Sequence, residues 1–291
     1  METVGSNENL SIIVMIDRRS SNRATIHRVI KEDPPSDRLV SPVLRDLGSA
    51  NMGDPQTLKD FIIWTSTNYP ALNYALILWD HGGSFAGVCW DHGVNPNERL
   101  TMTELETALS GAGMHLGVVM FMACLMSSIE VAYQIRKCCD YVVASEAVSG
   151  PYIWHFNSIF AHVCNNPSIS ARDLASFMLV FHGMNIEWQF GTLAQLDLSQ
   201  LDNLATAVDG LGKLLKDNLR SYGPQIERAR SRVENTLTYQ NGTQHLVDLY
   251  RFAEEIFYDT TITSESIRAA AWNVMVAVSN AVIKSRVGPY S

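Results

Sequence analysis

A histidine and a cysteine each stand just beyond an apolar run. Residues 74–79 (YALILW) lead to His81, and residues 117–122 (GVVMFM) lead to Cys124. A thiol near an imidazole can perform nucleophilic catalysis, because the imidazole handles protons while the thiolate attacks a carbonyl carbon. A cysteine in apolar surroundings is more often an inert buried side chain, so the pair is a hypothesis that depends on the elements around it.

Those elements follow from the pattern of apolar residues. Four continuous apolar runs are typical of buried strands: residues 11–17, 74–79, 117–122 and 141–144. Amphipathic segments that alternate with them, among them residues 57–67 and 126–137, are typical of helices. This alternation predicts an α/β fold with a mainly parallel sheet sandwiched by helices.

In such a sheet, ligands bind outside the carboxyl ends of the strands. His81, Cys124 and the pair Ser145 and Glu146, which follow the last run, are therefore expected along one edge. Gly82 has no Cβ, so its N–H can approach a substrate closely and form an oxyanion hole with the N–H of Cys124.

Two helix starts are also predicted. A helix at residues 126–137 would place its positive end next to Cys124 and favour the thiolate. Thr101 and Thr103 are expected to open a helix, and Thr103 and Glu106 have the spacing of a capping box.

The remainder of the chain divides into two parts. Residues 18–55 are polar and contain three prolines, which predicts an irregular surface excursion. After residue 198 the pattern is mostly helical, with helices expected near 199–219, 224–233, 243–258 and 265–285. We therefore expect an α/β core at residues 1–198 and a helical C-terminal lobe at 199–291 that packs on it.

Composition excludes several classes of function. The 291 residues include 30 acidic and 22 basic side chains, for a net charge of −8, which argues against nonspecific binding to nucleic acid. No apolar run is long enough to span a membrane. Five cysteines, an odd number, do not suggest a disulfide framework. No signal peptide is visible, and the compartment and the oligomeric state stay open.

Four segments in order resemble the motifs of clostripain-like cysteine peptidases. Residues 73–83 (NYALILWDHGG) resemble the histidine motif and residues 122–133 (MACLMSSIEVAY) the nucleophile motif, while residues 141–146 and 51–61 also fit. The resemblance implies a caspase-like fold, with Cys124 as nucleophile and His81 as general acid and base. It further implies hydrolysis of a polypeptide through an acyl-enzyme, usually after a basic residue and without a metal in the chemistry, by proteins that are often secreted.

The specificity positions depart from the family pattern. Met122 stands where the family usually has an aspartate, and Tyr152 where it usually has a second acidic residue. Because a buried arginine without a carboxylate partner is strongly unfavourable, we expect a P1 preference other than Arg or Lys unless Glu146 or another acid supplies the charge. The side chains expected to shape the substrate pocket are Met122, Ser145, Glu146, Tyr152 and Trp154.

Two further family properties have weaker support. Relatives often mature by self-cleavage between the two motifs, where Arg99 is the one basic residue. Some relatives depend on calcium, and an acidic group surrounds the same loop; with no EF-hand pattern, solvated surface acids are the better interpretation. This group comprises Asp80, Asp91, Glu98, Glu104 and Glu106.

Two other functions compete with the peptidase. The lost specificity acids suggest a non-catalytic peptide-binding or regulatory module of the same fold, and so does the absence of the strands that the family usually carries before Met1 and after Ser291. The retained His81, Gly82 and Cys124 favour the enzyme. A cysteine hydrolase that acts on a non-peptide amide is a third interpretation.

Overall fold

The computed structural model describes residues 1–18, 23–34, 36, 38–93, 98–148, 155–182, 191–239 and 242–287. The chain divides into two compact units, Met1–Leu196 with Lys284–Ser291, and Asp197–Ile283. The strands are β1 (Ile13–Arg18), β2 (Arg23–Arg28), β3 (Val43–Gly48), β4 (Ala75–Trp79), β5 (Val88–Trp90), β6 (Arg99–Leu100), β7 (Leu116–Met122), β8 (Cys139–Ala144), β9 (Thr192–Asp197), β10 (Glu234–Tyr239), β11 (Gly242–Val247) and β12 (Val282–Val287). The helices are α1 (Pro55–Asn68), α2 (Met102–Gly111), α3 (Ile129–Ile135), α4 (Phe156–Asn165), α5 (Ala171–His182), α6 (Leu201–Asp217), α7 (Leu219–Val233), α8 (Leu249–Tyr258) and α9 (Glu265–Ala281).

The central sheet has five strands in the order β12-β9-β8-β7-β4. The apolar runs at 74–79, 117–122 and 141–144 form β4, β7 and β8, as predicted, and the β4–β7 and β7–β8 pairs are parallel. In β7, Met120 packs into a cluster with side chains of α5, while Phe121 points to the opposite face and is also fully buried. Burial on both faces explains why these strands appear in the sequence as continuous apolar runs.

The predictions for residues 11–55 were partly wrong. The apolar run at 11–17 does form β1, but β1 pairs antiparallel with β2 in a separate three-stranded sheet, β1-β2-β3. The segment expected to be irregular therefore contains two strands. In β2 buried residues such as Ala24 and Ile26 alternate with polar ones, and most of β3 is exposed, so neither strand has a continuous apolar signal.

The second unit consists of α6 to α9 and an antiparallel hairpin of β10 and β11. Its core contains Leu211, Ile256, Ile267 and Val274. The predicted helices at 243–258 and 265–285 were too long. Residues 242–247 form β11, and the chain after α9 continues as β12, which is hydrogen-bonded to β9 in the central sheet. In the described part of the chain, no helix is both long and apolar enough to cross a bilayer.

Helix α2 opens at Thr101, as expected, but its capping box lies two residues before the predicted one. Thr101 is the N-cap: its hydroxyl accepts the Glu104 N–H at 3.3 Å, and the Glu104 carboxylate accepts the Thr101 N–H at 2.9 Å. Thr103, which was expected to form this box, lies inside the helix and is exposed.

We expect Thr101→Ala to lower the free energy of unfolding by about 1 kcal/mol, because it removes the hydroxyl that accepts the Glu104 N–H. Thr103→Ala is the matched control and should change stability by no more than about 0.5 kcal/mol. Chemical denaturation of the two variants measures this difference. A loss from Thr103→Ala that equals or exceeds that from Thr101→Ala would contradict the structural assignment.

Candidate active site

The register of β4 and β7 determines where the histidine and the cysteine lie. Trp79, the last residue of β4, pairs with Met122, the last residue of β7. His81 and Cys124 are each two residues beyond this pair. Since the two strands are parallel neighbours, the structure places both residues at the same carboxyl edge of the central sheet. We refer to residues 80–87 as the His loop and to residues 123–128 as the Cys loop.

The two loops meet at Gly82. A Cβ atom on Gly82 would lie 2.3 Å from the backbone oxygen of Cys124 and 2.9 Å from Ala123 Cβ and from Met126 Cγ. Real Cβ atoms do not approach backbone atoms this closely, so only glycine fits at position 82 without a shift of the Cys loop. The Cys loop therefore packs directly against the His loop.

Gly82 also presents its peptide group away from β5. It forms an isolated antiparallel bridge with Val88, and the flanking hydrogen bonds run from Gly83 N–H to Gly87 O (2.9 Å) and from Cys89 N–H to His81 O (3.1 Å). This is the pattern of a non-hydrogen-bonded pair, in which the residue's own N–H and C=O face away from its partner. The Gly82 N–H is thus directed away from the strand that holds the loop, as its expected oxyanion role requires.

The Cys loop is fastened to the segment that follows β8. Leu125 N–H donates to Ala147 O at 3.1 Å, and Ser127 N–H donates to Ser145 O at 2.9 Å. The loop then leads to Ser128, the N-cap of α3. The expectation that Cys124 directly precedes this helix was wrong. Three residues separate Cys124 from the N-cap Ser128, and the effect of a helix dipole falls off within the first turn.

His81 is exposed and lies in a polar setting. Its backbone N–H donates to the Asp80 carboxylate. Its ring stands edge-on to the His92 ring, with 6.0 Å between the centroids. The imidazole is therefore accessible to a substrate at the sheet edge.

The cysteines differ in their exposure and in the pKa of their thiols. Burial raises the pKa of the Cys89 and Cys139 thiols far above the ordinary range, and burial also raises the pKa of Cys138. These three side chains are held as neutral thiols and make poor nucleophiles. Cys124 is partly exposed and lies in a loop at the carboxyl edge of the sheet.

A row of uncharged side chains borders the two loops. Trp79 and Met122 are register partners in parallel strands, so their side chains point to the same face. Two positions before Met122, Met120 pairs with Val143, and the same register leads to Ser145, which follows β8 and is fully buried. Met122 is only 4% exposed, whereas Trp79 is 60% exposed. Trp79 is therefore the member of this row that solvent reaches most readily.

The other predicted pocket residues differ in what the structure shows of them. The Ser145 hydroxyl contacts Ala147 O at 3.0 Å and the Thr192 hydroxyl at 3.2 Å, so it holds its own loop. Thr192 also accepts the Glu146 N–H at 3.0 Å, a role that no sequence motif announces. The Glu146 side chain is exposed. Tyr152 and Trp154 lie outside the described residues.

Arg99 lies in a short antiparallel strand. It pairs with Trp90, its Nε donates to Ala86 O at 2.5 Å, and its guanidinium lies over the Trp90 ring at 5.5 Å from the centroid. The next residue, Leu100, is 1% exposed. Arg99, after which self-cleavage was predicted, therefore stabilises the His loop through its contact with Ala86.

Asp91 and Glu98 of the predicted acidic group accept local hydrogen bonds. Asp91 accepts the N–H groups of Met52 and Gly93 at 2.8 and 2.9 Å, and Glu98 accepts from Asn51 at 2.9 Å. Within the described ranges, no group of three or more His, Cys, Asp or Glu side chains is placed to hold a metal ion. Asp91 and Glu98 stabilise loops through these contacts, and calcium dependence stays a prediction.

An α/β sheet whose neighbouring strands end in a histidine loop and a cysteine loop defines the caspase-like class of cysteine peptidases. The chain belongs to the clostripain family, whose sequence profile matches residues 1–289. Clostripain of Hathewaya histolytica is 31% identical to this chain over 181 residues. The match covers 50% of this chain and 33% of clostripain, so the chain spans about a third of that relative.

Solved structures show the same fold. The inactive zymogen of a C11 protease from Parabacteroides distasonis matches with a TM-score of 0.72 and 20% identity, over 96% of this chain and 73% of that one. A secreted C11 cysteine protease from Bacteroides thetaiotaomicron, in complex with an irreversible peptide inhibitor, matches with a TM-score of 0.67 and 20% identity. That match covers 98% of this chain and 76% of the other. At this identity the structures establish the caspase-like fold.

We expect Gly82→Ala to lower the free energy of unfolding by about 1–3 kcal/mol, because the added methyl group overlaps the Cys124 carbonyl. Reactivity of Cys124 toward iodoacetamide should fall at the same time, as the loops are forced apart. Gly210→Ala is the matched control, since a Cβ on Gly210 in α6 meets nothing within 4 Å. It should be neutral or stabilising by up to about 1 kcal/mol. Wild-type stability and reactivity in Gly82→Ala would refute the close contact.

Proposed function

We propose that the chain is a cysteine endopeptidase in which Cys124 is the nucleophile and His81 transfers the protons. The observation that carries the proposal is the shared offset of both residues beyond two paired parallel strands, with Gly82 pressed against the Cys124 carbonyl. Membership of the clostripain family supports the same chemistry.

The reaction would proceed through an acyl-enzyme. His81 takes the proton of the Cys124 thiol, and Sγ attacks the scissile carbonyl carbon. The N–H groups of Gly82 and Cys124 stabilise the negative charge that develops on the carbonyl oxygen. His81 then gives its proton to the leaving amine, and later activates the water that releases the acyl group. No cofactor takes part in these steps.

We expect acyloxymethyl ketone peptide probes to label the wild-type chain at Cys124 and to leave Cys124→Ala unlabelled. His81→Ala should slow labelling at least about 100-fold, the usual contribution of a general acid–base group. Cys164→Ala removes another partly exposed cysteine and is the matched control. It should label at the wild-type rate in gel-based and mass-spectrometric assays.

Absence of labelling by any probe would favour the second candidate, a non-catalytic peptide-binding module. That candidate draws its support from Met122, which replaces the usual specificity acid. Peptide binding without turnover, measured by calorimetry, would then be its expected signature.

The same site suggests a P1 preference for uncharged side chains. Trp79, Met122 and Ser145 form a row without a carboxylate, and a lysine or arginine placed beside it would lose water without gaining an ionic partner. Two acids are adjacent to this row in the sequence: Asp80, whose carboxylate accepts the His81 N–H, and Glu146. If the exposed carboxylate of Glu146 turned toward the pocket, basic preference would return.

We expect probes with P1 leucine or methionine to label Cys124 at least about 10-fold faster than probes with P1 lysine or arginine, because the basic group is left unpaired. Met122→Asp should reduce this ratio or invert it, and Met122→Leu, the matched control, should preserve it. Second-order labelling rates measure both effects. Faster labelling by the basic probes in the wild-type chain would contradict the preference.

Self-cleavage after Arg99 stays a prediction that is linked to this preference. A pocket that rejects arginine will not cleave there, and the pairing of Arg99 with Trp90 must open before the bond is accessible. A fragment that ends at Arg99 in purified protein would therefore argue against the neutral pocket.

A further inference from the structure

Backbone strain in the described chain is concentrated around the two loops. Ser84, Cys89 and Leu125 are the described non-glycine residues with positive φ, at 55°, 58° and 65°. Ser84 lies in the His loop, Leu125 in the Cys loop, and Cys89 donates to the backbone of His81. Such conformations persist where the surrounding structure holds them, and they cluster at functional sites.

Ser84 is the member of this set with a polar side chain that must find a partner. It is completely buried, and its hydroxyl donates to the Ser128 hydroxyl at 2.9 Å. An unpaired buried hydroxyl is costly, so this bond specifies the place of the loop. The bond connects Ser84, three positions after His81, to Ser128, four positions after Cys124.

Ser128, the acceptor of this bond, is held in place by the helix that it caps. As the N-cap of α3 it accepts the Val131 N–H at 3.4 Å. Val131, Ala132 and Ile135 of this short helix are fully buried, so the helix is anchored in the core. The His loop is thereby tied to an element that the core immobilises.

Backbone hydrogen bonds between described residues hold each loop to a different element. Those of the His loop run to the residues around β5, and those of the Cys loop run to the segment after β8. The contact at Gly82 prevents the loops from approaching further, but van der Waals contact does not prevent them from separating. The Ser84–Ser128 hydrogen bond opposes that separation directly.

We propose that Ser84 is a positioning residue that, through its hydrogen bond to Ser128, holds the His81 imidazole at working distance from the Cys124 thiol. The inference rests on the proposed dyad. Ser84 itself touches no reacting atom. Losing its hydroxyl lets the His loop shift, and small displacements of a catalytic group have large effects on rate.

The test measures alkylation of Cys124 by iodoacetamide near neutral pH, followed by peptide mass spectrometry that distinguishes Cys124 from the other cysteines. Iodoacetamide needs no specificity pocket, so the rate reports on the thiol and its imidazole. Ser84→Ala should react about 10-fold more slowly than wild type. A merely loosened fold would increase access to the thiol and accelerate the reaction.

Matched variants identify the route of the effect. In the His81→Ala background, Ser84→Ala should change the alkylation rate by less than about twofold, because the imidazole that Ser84 positions is absent. Ser128→Thr keeps both the acceptor and the N-cap and should retain wild-type reactivity within about threefold. Ser110→Ala removes an exposed hydroxyl of α2 and should have no effect.

Three results would overturn the proposal, and each has a different meaning. If His81→Ala slows alkylation but Ser84→Ala does not, the hydrogen bond has no positioning role and the dyad stands. If Ser84→Ala changes the rate by the same factor with and without His81, in either direction, its role is structural. If His81→Ala reacts like wild type, the dyad and the proposed function fail, and Ser84 has nothing to position.

Discussion

The site depends on the parallel pairing of β4 with β7 in a register that sets Trp79 opposite Met122. A strand that slips by one residue exchanges its two faces, and here both faces are buried. Met120 and Phe121 point in opposite directions, and each is completely enclosed. The hydrophobic core therefore fixes the register, and the register in turn fixes the offset of His81 and Cys124. Packing far below the sheet edge determines the geometry of the chemistry at the edge.

Beyond the strand ends the chain leaves the regularity of the sheet, and individual contacts take over. The His loop turns through a left-handed serine and a glycine without room for a Cβ, and the Cys loop turns through a left-handed leucine. These conformations cost free energy that the surrounding hydrogen bonds must offset. Thr192, Arg99 and Ser128 supply such bonds from separate elements. The edge is thus a set of constrained loops on a rigid support, as a preorganised site requires.

The sequence reveals the parts of this arrangement that have a local signature. Apolar runs buried on both faces announce β4, β7 and β8, and the motifs around His81, Gly82 and Cys124 are contiguous. The sequence does not reveal β2 and β3, because buried and polar residues alternate in β2 and most of β3 is exposed. The start of α3 was placed too early, although Ser128 is a favoured N-cap type. Ser84 and Thr192 could not be found, because their roles arise from contacts with residues 44 and 47 positions away.

Catalysis and specificity are physically separable in this site, which bears on the meaning of Met122. The proposed chemistry uses one imidazole, one thiol and backbone N–H groups, and none of these is a side chain of the Trp79–Met122–Ser145 row. A thioether in place of a carboxylate at position 122 would change the charge of the proposed pocket, but it leaves the loops and their hydrogen bonds in place. The substitution is therefore compatible with both candidates, an enzyme with a different P1 preference and a non-catalytic module. Loss of function would instead be expected from changes at Gly82, where any side chain displaces the Cys124 carbonyl.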